Sequence, residues 1–367
     1  MTASTNGAHA FAVEPNPNPR TNAEREAELA HPAFGLAFTD HMARLSWTAG
    51  EGWSDRRVVP YGLIALDPAA AVLHYAQEIF EGLKAYRHAD DSIWTFRPTA
   101  NAERFTRSAR RLALPELDPK DFLGAIEALV REDRAWVPAG ADTSLYLRPF
   151  MFATEAFIGV RPSHTVEFFL IASPVGSYFA NGVAPVGIWV ERTTHRAGPG
   201  GTGSAKCGGN YAGAMAAQES AYAHGCEQVL YLDAVRGEYL EELGGMNIVV
   251  VFDDGTAATP PISGTILEGV TRSSILQLLA DRGVDVAERP VALAEVVDGA
   301  RTGRVAEVFA CGTAAVMTPV GRLKGDDFEV EVGDGGAGEL TMSVRAELTD
   351  IQYGRIEDRH GWTHRLI

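Results

Sequence analysis

At 367 residues the chain is long enough to bury a large core and to form two domains. Hydrophobic residues make up 46% and charged residues 22%, the balance of a water-soluble globular protein. A formal charge of −16 argues against nucleic acid and anionic membranes as partners, although a few local arginines override that sign for small anions.

No apolar run approaches the ~20 residues that span a bilayer, and residues 1–20 lack the apolar stretch of a secretory signal. The three cysteines, Cys207, Cys226 and Cys311, have no metal-ligand spacing and leave one unpaired in any disulfide scheme. Reduced thiols in a cytoplasmic protein follow. The histidines form no His-Glu-x-x-His pattern, so no metal site is expected.

In chain order, residues 1–30 are expected to form a poorly ordered arm. Asp67-Pro68 opens a helix over 69–77. A strand is expected over 80–86. A helix follows over 99–114, with Phe105, Ala109 and Leu112 on one face, stopped by Pro115. Asp118-Pro119 opens another helix, and 144–152 and 166–172 read as strands. This domain is expected over 31–173. The glycine- and proline-containing stretch 174–185 reads as a linker, leaving 186–367 as the second domain. There, 186–191, 228–233, 246–252 and 305–310 read as strands, and 211–224 and 271–282 as helices.

Between strand 186–191 and helix 211–224 lies Gly200-Gly201-Thr202-Gly203-Ser204-Ala205-Lys206-Cys207-Gly208-Gly209-Asn210-Tyr211. An ordinary lysine sits on a charged, solvated face. Lys206 instead sits among glycines and small residues, where a backbone can pass close to a bulky ligand. A lysine in such a setting loses its proton readily, and a neutral amine can form a Schiff base. A Walker loop is excluded, because Lys206 lies between Ala205 and Cys207. A dinucleotide fingerprint fails because Lys206 occupies the place of its third glycine.

Several separated motifs complete the pattern: Phe34-Gly35-Leu36-Ala37-Phe38-Thr39-Asp40-His41-Met42, Phe80-Glu81-Gly82-Leu83-Lys84-Ala85-Tyr86, Tyr146-Leu147-Arg148-Pro149, the lysine loop, Glu241-Glu242-Leu243-Gly244-Gly245-Met246-Asn247 and Gly312-Thr313-Ala314. From about Phe34 onward the chain resembles the branched-chain amino-acid aminotransferases, fold-type IV enzymes of pyridoxal 5′-phosphate. The resemblance implies an α+β fold with a smaller α/β N-terminal domain, a larger C-terminal domain with a pseudo-barrel, and the cofactor at the domain interface. It implies a cytoplasmic homodimer exchanging amino groups between leucine, isoleucine or valine and 2-oxoglutarate.

By this resemblance Lys206 carries the cofactor and moves the substrate's Cα proton. Glu242 faces the pyridine nitrogen, with Glu241 on the opposite, solvated side of the strand. Tyr211 serves the phenolic oxygen. Arg104, Arg196, Val270, Thr271 and Thr313 hold the phosphate, Val270 and Thr271 at a helix N-terminus that favours an anion. Phe34, Tyr75, Phe80 and Tyr178 wall the apolar substrate pocket. Tyr146 with the backbone near Thr313 and Ala314 holds the α-carboxylate, and Arg148 receives glutamate's second carboxylate. Two departures stand out. Ala315 and Thr318 replace a Cys-x-x-Cys pair found in some relatives, and Gly245 replaces a threonine. D-amino-acid aminotransferases and aminodeoxychorismate lyases share the fold class, and a non-catalytic protein that binds the cofactor is the alternative outside enzymes.

Overall fold

The computed structural model describes residues 9–176 and 183–367. The chain divides into two compact units. The first comprises Met1–Tyr178, Ala205–Gly208 and Ile351–Ile367, and the second Phe179–Ser204 and Gly209–Asp350. The C-terminal boundary therefore falls earlier than the expected 186–367. Strand Thr363–Arg365 pairs antiparallel with Ile93–Phe96, so the end of the chain completes the first unit's sheet. With these additions the first unit holds more of the chain than the second.

The first unit is built on one mostly antiparallel sheet. Its strand order is Ala12–Val13, Gly52–Pro60, His41–Thr48, Thr165–Val175, Ser144–Ala153, Leu83–Arg87, Ile93–Phe96 and Thr363–Arg365, with Glu78–Phe80 also paired to Ser144–Ala153. Helices Pro98–Arg111 and Pro119–Glu132 contribute Phe105 and Phe122 to its core. These rings pack on each other at 5.4 Å between centroids, and Phe105 meets Phe168 of the sheet edge-on at 5.7 Å. Each such buried phenylalanine contributes roughly 1.5–3 kcal/mol. Asp118 caps the second helix by accepting from the Lys120 N–H, and proline starts both.

The expected arm is more structured than its composition suggests. Asn22–Ala30 is a helix, opened by a capping box in which Thr21 and Glu24 exchange hydrogen bonds. The helix expected over 69–77 shortens to Ala71–Tyr75, because Asp67 and the residues after it form a turn. The strand expected over 80–86 is two strands, broken at Glu81-Gly82.

The second unit carries a mixed sheet in the order Leu240–Leu243, Gln228–Leu232, Val186–Glu191, Val316–Lys324, Val305–Gly312, Asn247–Phe252, Ala257–Thr259 and Val286–Glu288, with Glu329–Glu331 paired to Val316–Lys324. Its core is dominated by Val, Ile and Leu from these strands. The helix expected over 211–224 is interrupted at Gly213-Ala214 into Gly208–Ala212 and Met215–Ala223. Val270–Asp281 and Leu293–Thr302 are further helices. Among the described residues no helix is long and apolar enough to cross a membrane.

Candidate active site

In the first unit the lysine loop is fixed from both sides. The Lys206 N–H donates to Ser108 Oγ at 2.9 Å, and its carbonyl accepts from the Phe80 N–H at 3.0 Å. Ala205 and Cys207 are buried in the unit's hydrophobic core, and the Gly208 N–H donates to the Glu78 carboxylate. With both neighbours anchored, the half-buried Lys206 side chain projects from a stiff mount. Its Nζ lies 4.8 Å from the centroid of the Phe80 ring. The Arg148 guanidinium lies at the same distance from that ring.

Glu81 explains the break in the strand. Its buried carboxylate accepts from Arg104 Nε at 2.7 Å and Nη2 at 2.8 Å, from Asn101 Nδ2 at 2.7 Å and from the Gly82 N–H at 3.1 Å. Burial alone would raise its pKa. The Arg104 charge and hydrogen bonds, with Lys206 and Asn101, outweigh burial and hold the pKa below the ordinary glutamate value. Arg104 sits in the middle of its helix, on the buried face, held in a two-pronged grip.

Phe34, Tyr146 and Arg148 line a cavity of about 180 Å³ with Phe38, Ile171 and Ala172. Phe34 meets Tyr146 edge-on at 5.0 Å, and Arg148 Nη2 donates to the Tyr146 hydroxyl at 3.1 Å. Arg148 Nε is buried and donates to no group among the described residues. A largely apolar wall with one guanidinium in its lining suits a small side chain that ends in either methyls or a carboxylate. Tyr75 does not join this group. It is 39% exposed, and its hydroxyl donates to the Ile158 carbonyl. Tyr178 lies outside the described residues.

In the second unit Glu242 is buried, its Oε1 accepting from the Leu267 N–H at 2.6 Å and from Asn247 Nδ2 at 3.3 Å. Arg196 Nε stands 2.8 Å from Glu242 Oε2, a close charge contact whose N–H is not aligned as a hydrogen bond. Arg196 Nη2 donates to the carbonyls of Thr265, at 2.6 Å, and Gly203, at 3.0 Å. A Cβ on residue 203 would collide with the Thr265 backbone, so this glycine is required for the loop to pack there. Tyr211 stands beside Gly245, where a Cβ would come within 3.1 Å of its ring.

Val270 and Thr271 open the helix Val270–Asp281 after Gly269, which brings no side-chain cap to the first turn. Thr313 and Ala314 are half-buried in the turn between Val305–Gly312 and Val316–Lys324. The register places Asn247, which donates to Glu242, opposite Cys311 on the strand that leads into this turn.

Glu241 corrects one expectation. It is buried, not solvated, and its Oε1 accepts from Thr265 Oγ1 at 2.5 Å. Alternation along Leu240–Leu243 does separate it from Glu242, but both faces of this strand are covered. Ser108, Glu81, Asn101, Asn247 and Thr265 had no role in the sequence reading. Buried polar residues in otherwise apolar elements were the available signal for Glu81 and Asn247.

The amino-transferase class IV family model matches residues 78–323. Two relatives, both named branched-chain-amino-acid aminotransferase, extend over nearly the whole chain. That of Mycolicibacterium smegmatis is 53% identical over 97% of this chain and 98% of its own, and that of Mycobacterium tuberculosis 52% identical over 99% and 100%. Among solved structures, the Escherichia coli branched-chain amino acid aminotransferase superposes with a TM-score of 0.74 at 27% identity, covering 89% of this chain and all of its own. A T.th. branched-chain amino acid aminotransferase with pyridoxamine 5′-phosphate gives 0.72 at 28% identity over 89% and 99%. A match across most of the chain, and relatives above half identity along nearly its whole length, establish that this chain belongs to the class IV aminotransferase family.

Proposed function

We propose that the chain is a pyridoxal-phosphate-dependent transaminase that exchanges amino groups between branched-chain L-amino acids and 2-oxoglutarate, acting as a cytoplasmic homodimer. The observation that carries the reading is the mounting of Lys206, whose backbone is hydrogen-bonded on both sides while its amine is presented over an aromatic ring.

The donor set fits the cofactor. Glu242 is a buried carboxylate suited to a protonated ring nitrogen, Tyr211 offers a hydroxyl, and the Val270–Asp281 N-terminus with the Thr271 and Thr313 hydroxyls suits a phosphate. Arg104, oriented by Glu81, adds a cation. When bound, the cofactor supplies the sink for the electron pair left as the substrate's Cα proton departs. The chain's part is to bind, orient and move that proton. Lys206 is the base that takes it and the acid that returns it. Phe34, Tyr146 and Ile171 receive an apolar branch, and Arg148 meets a second carboxylate when glutamate occupies the same place.

The experiment is a half-reaction screen on the holoenzyme, following cofactor absorbance against single amino acids. Leucine, isoleucine, valine and glutamate should each convert the cofactor. Conversion by D-alanine and not by L-leucine would favour a D-amino-acid aminotransferase, and no conversion by any amino acid a binding protein.

A further inference from the structure

Arg196 was expected at the phosphate, yet its donors point elsewhere. The residue is only 9% exposed, and three contacts triangulate its guanidinium: Nε against Glu242 Oε2 at 2.8 Å, and Nη2 on the Thr265 and Gly203 carbonyls at 2.6 and 3.0 Å. Nη2 is spent on two carbonyls and the Nε edge faces Glu242, so the guanidinium is turned toward that carboxylate and held there.

From this geometry we propose that Arg196 is the positioning residue of Glu242, fixing that carboxylate in its charged form and in one orientation toward the ring nitrogen. The inference rests on the reading of Glu242 as the ring partner. A buried carboxylate without a cation tends to take up a proton, and a cation at contact distance reverses that tendency. A protonated Glu242 would have lost the charge that favours a protonated ring.

The neighbouring carboxyl is held differently. Glu241 is buried one residue away, its Oε1 on Thr265 Oγ1, and its Oε2 meets no hydrogen-bond donor among the described residues. Burial raises its pKa. The Thr265 hydrogen bond and the Arg196 charge oppose that rise, and Asp233 adds to it. Two adjacent carboxyls thus stand in unlike settings: Glu242 has two N–H donors and a cation in contact, and Glu241 a single hydroxyl. The cation between them therefore serves Glu242, and Thr265 ties the pair together by offering its carbonyl to Arg196 and its hydroxyl to Glu241.

The test loads the protein with cofactor labelled with ¹⁵N in the ring and reads the ring-nitrogen chemical shift, which reports ring protonation independently of turnover. Glu242→Gln should move the signal toward the unprotonated position. Arg196→Gln should move it the same way, while the cofactor dissociation constant changes by less than about threefold, as for a residue that makes no phosphate contact. Arg196→Lys keeps a charge for the fold but loses the fork, and its signal should fall between the two. The proposal is overturned if folded Arg196→Gln or Arg196→Lys keeps the wild-type signal and instead weakens cofactor binding about tenfold or more, the mark of a phosphate ligand. If Glu242→Gln itself leaves the signal in place, the assignment of Glu242 fails, and the role of Arg196 with it.

Discussion

The hydroxyl of Tyr146 occupies the space where a side chain on residue 82 would begin, so a Cβ built on Gly82 overlaps it. The same hydroxyl accepts from Arg148, and the ring borders the cavity with Phe34. Gly82→Ala should push Tyr146 aside and misplace the arginine. We expect kcat/KM for leucine to fall at least about tenfold, with a stability loss of roughly 1–3 kcal/mol from overpacking. Adding Tyr146→Phe removes the overlapping oxygen and should recover part of the stability without the activity. Wild-type kinetics in Gly82→Ala would show that Tyr146 has no positional role.

Removing the Glu81 carboxylate should strand a buried guanidinium. Glu81→Gln is expected to cost roughly 3–5 kcal/mol at neutral pH, measured by denaturant unfolding of the apoprotein. The pH dependence has a definite sign. The folded pKa of Glu81 lies below its unfolded value, so its stabilisation is present above about pH 4.3 and is lost as pH falls through the folded pKa. The gap between wild type and Glu81→Gln should therefore be widest near neutrality and narrow in acid. A gap that widens in acid would contradict the charged pair.

The role proposed for Arg148 is to let one pocket take both leucine and glutamate. The residue lines the cavity beside Tyr146, where a guanidinium can pair with glutamate's γ-carboxylate. Arg148→Ala should weaken the glutamate and 2-oxoglutarate half-reactions by roughly 2–5 kcal/mol and leucine's far less. Equal losses would make the arginine structural or place it on the shared α-carboxylate.

The thiols should be silent toward oxidants. All three cysteines are buried, and burial pushes the Cys311 thiol up to about 12, with Arg272 opposing and Glu242 adding to the rise. Ala315 and Thr318 offer no partner thiol nearby in sequence. A disulfide reagent at neutral pH should titrate no thiol rapidly in the folded holoenzyme and all of them after denaturation. Rapid labelling with reversible loss of activity would identify a switch built on Cys207 or Cys311.

Long periodic segments were legible in the sequence. Helix Pro98–Arg111 announced itself through its apolar face and the proline beyond it, although it ends before the expected 114, and Pro119–Glu132 through its Asp-Pro start and apolar spacing. The hairpin His41–Thr48/Gly52–Pro60 was not, because charged and polar residues interrupt its second strand. Glu81 read as one more strand residue, since its partners Asn101 and Arg104 lie on a helix about twenty positions away. The glycines around Lys206 did mark close approach, but the approach seen at Gly203 and Gly208 is to the chain itself, at Thr265 and Glu78. A sequence shows that room is required without showing for what. Arg196 was assigned to the phosphate by resemblance alone, and only three-dimensional distances pair it with Glu242.

The first unit is assembled from three separate stretches of chain, among them Ala205–Gly208, which carries Lys206, and the terminal Ile351–Ile367. A gene divided within residues 177–182 would thus give an N-terminal product lacking the lysine and the sheet strand Thr363–Arg365. Lys206, the proposed reactive amine, is encoded beyond the cut, so the N-terminal product would not contain the whole of the first unit. Shuffling between relatives would have to exchange the whole reading frame, or pieces small enough to leave all three stretches matched.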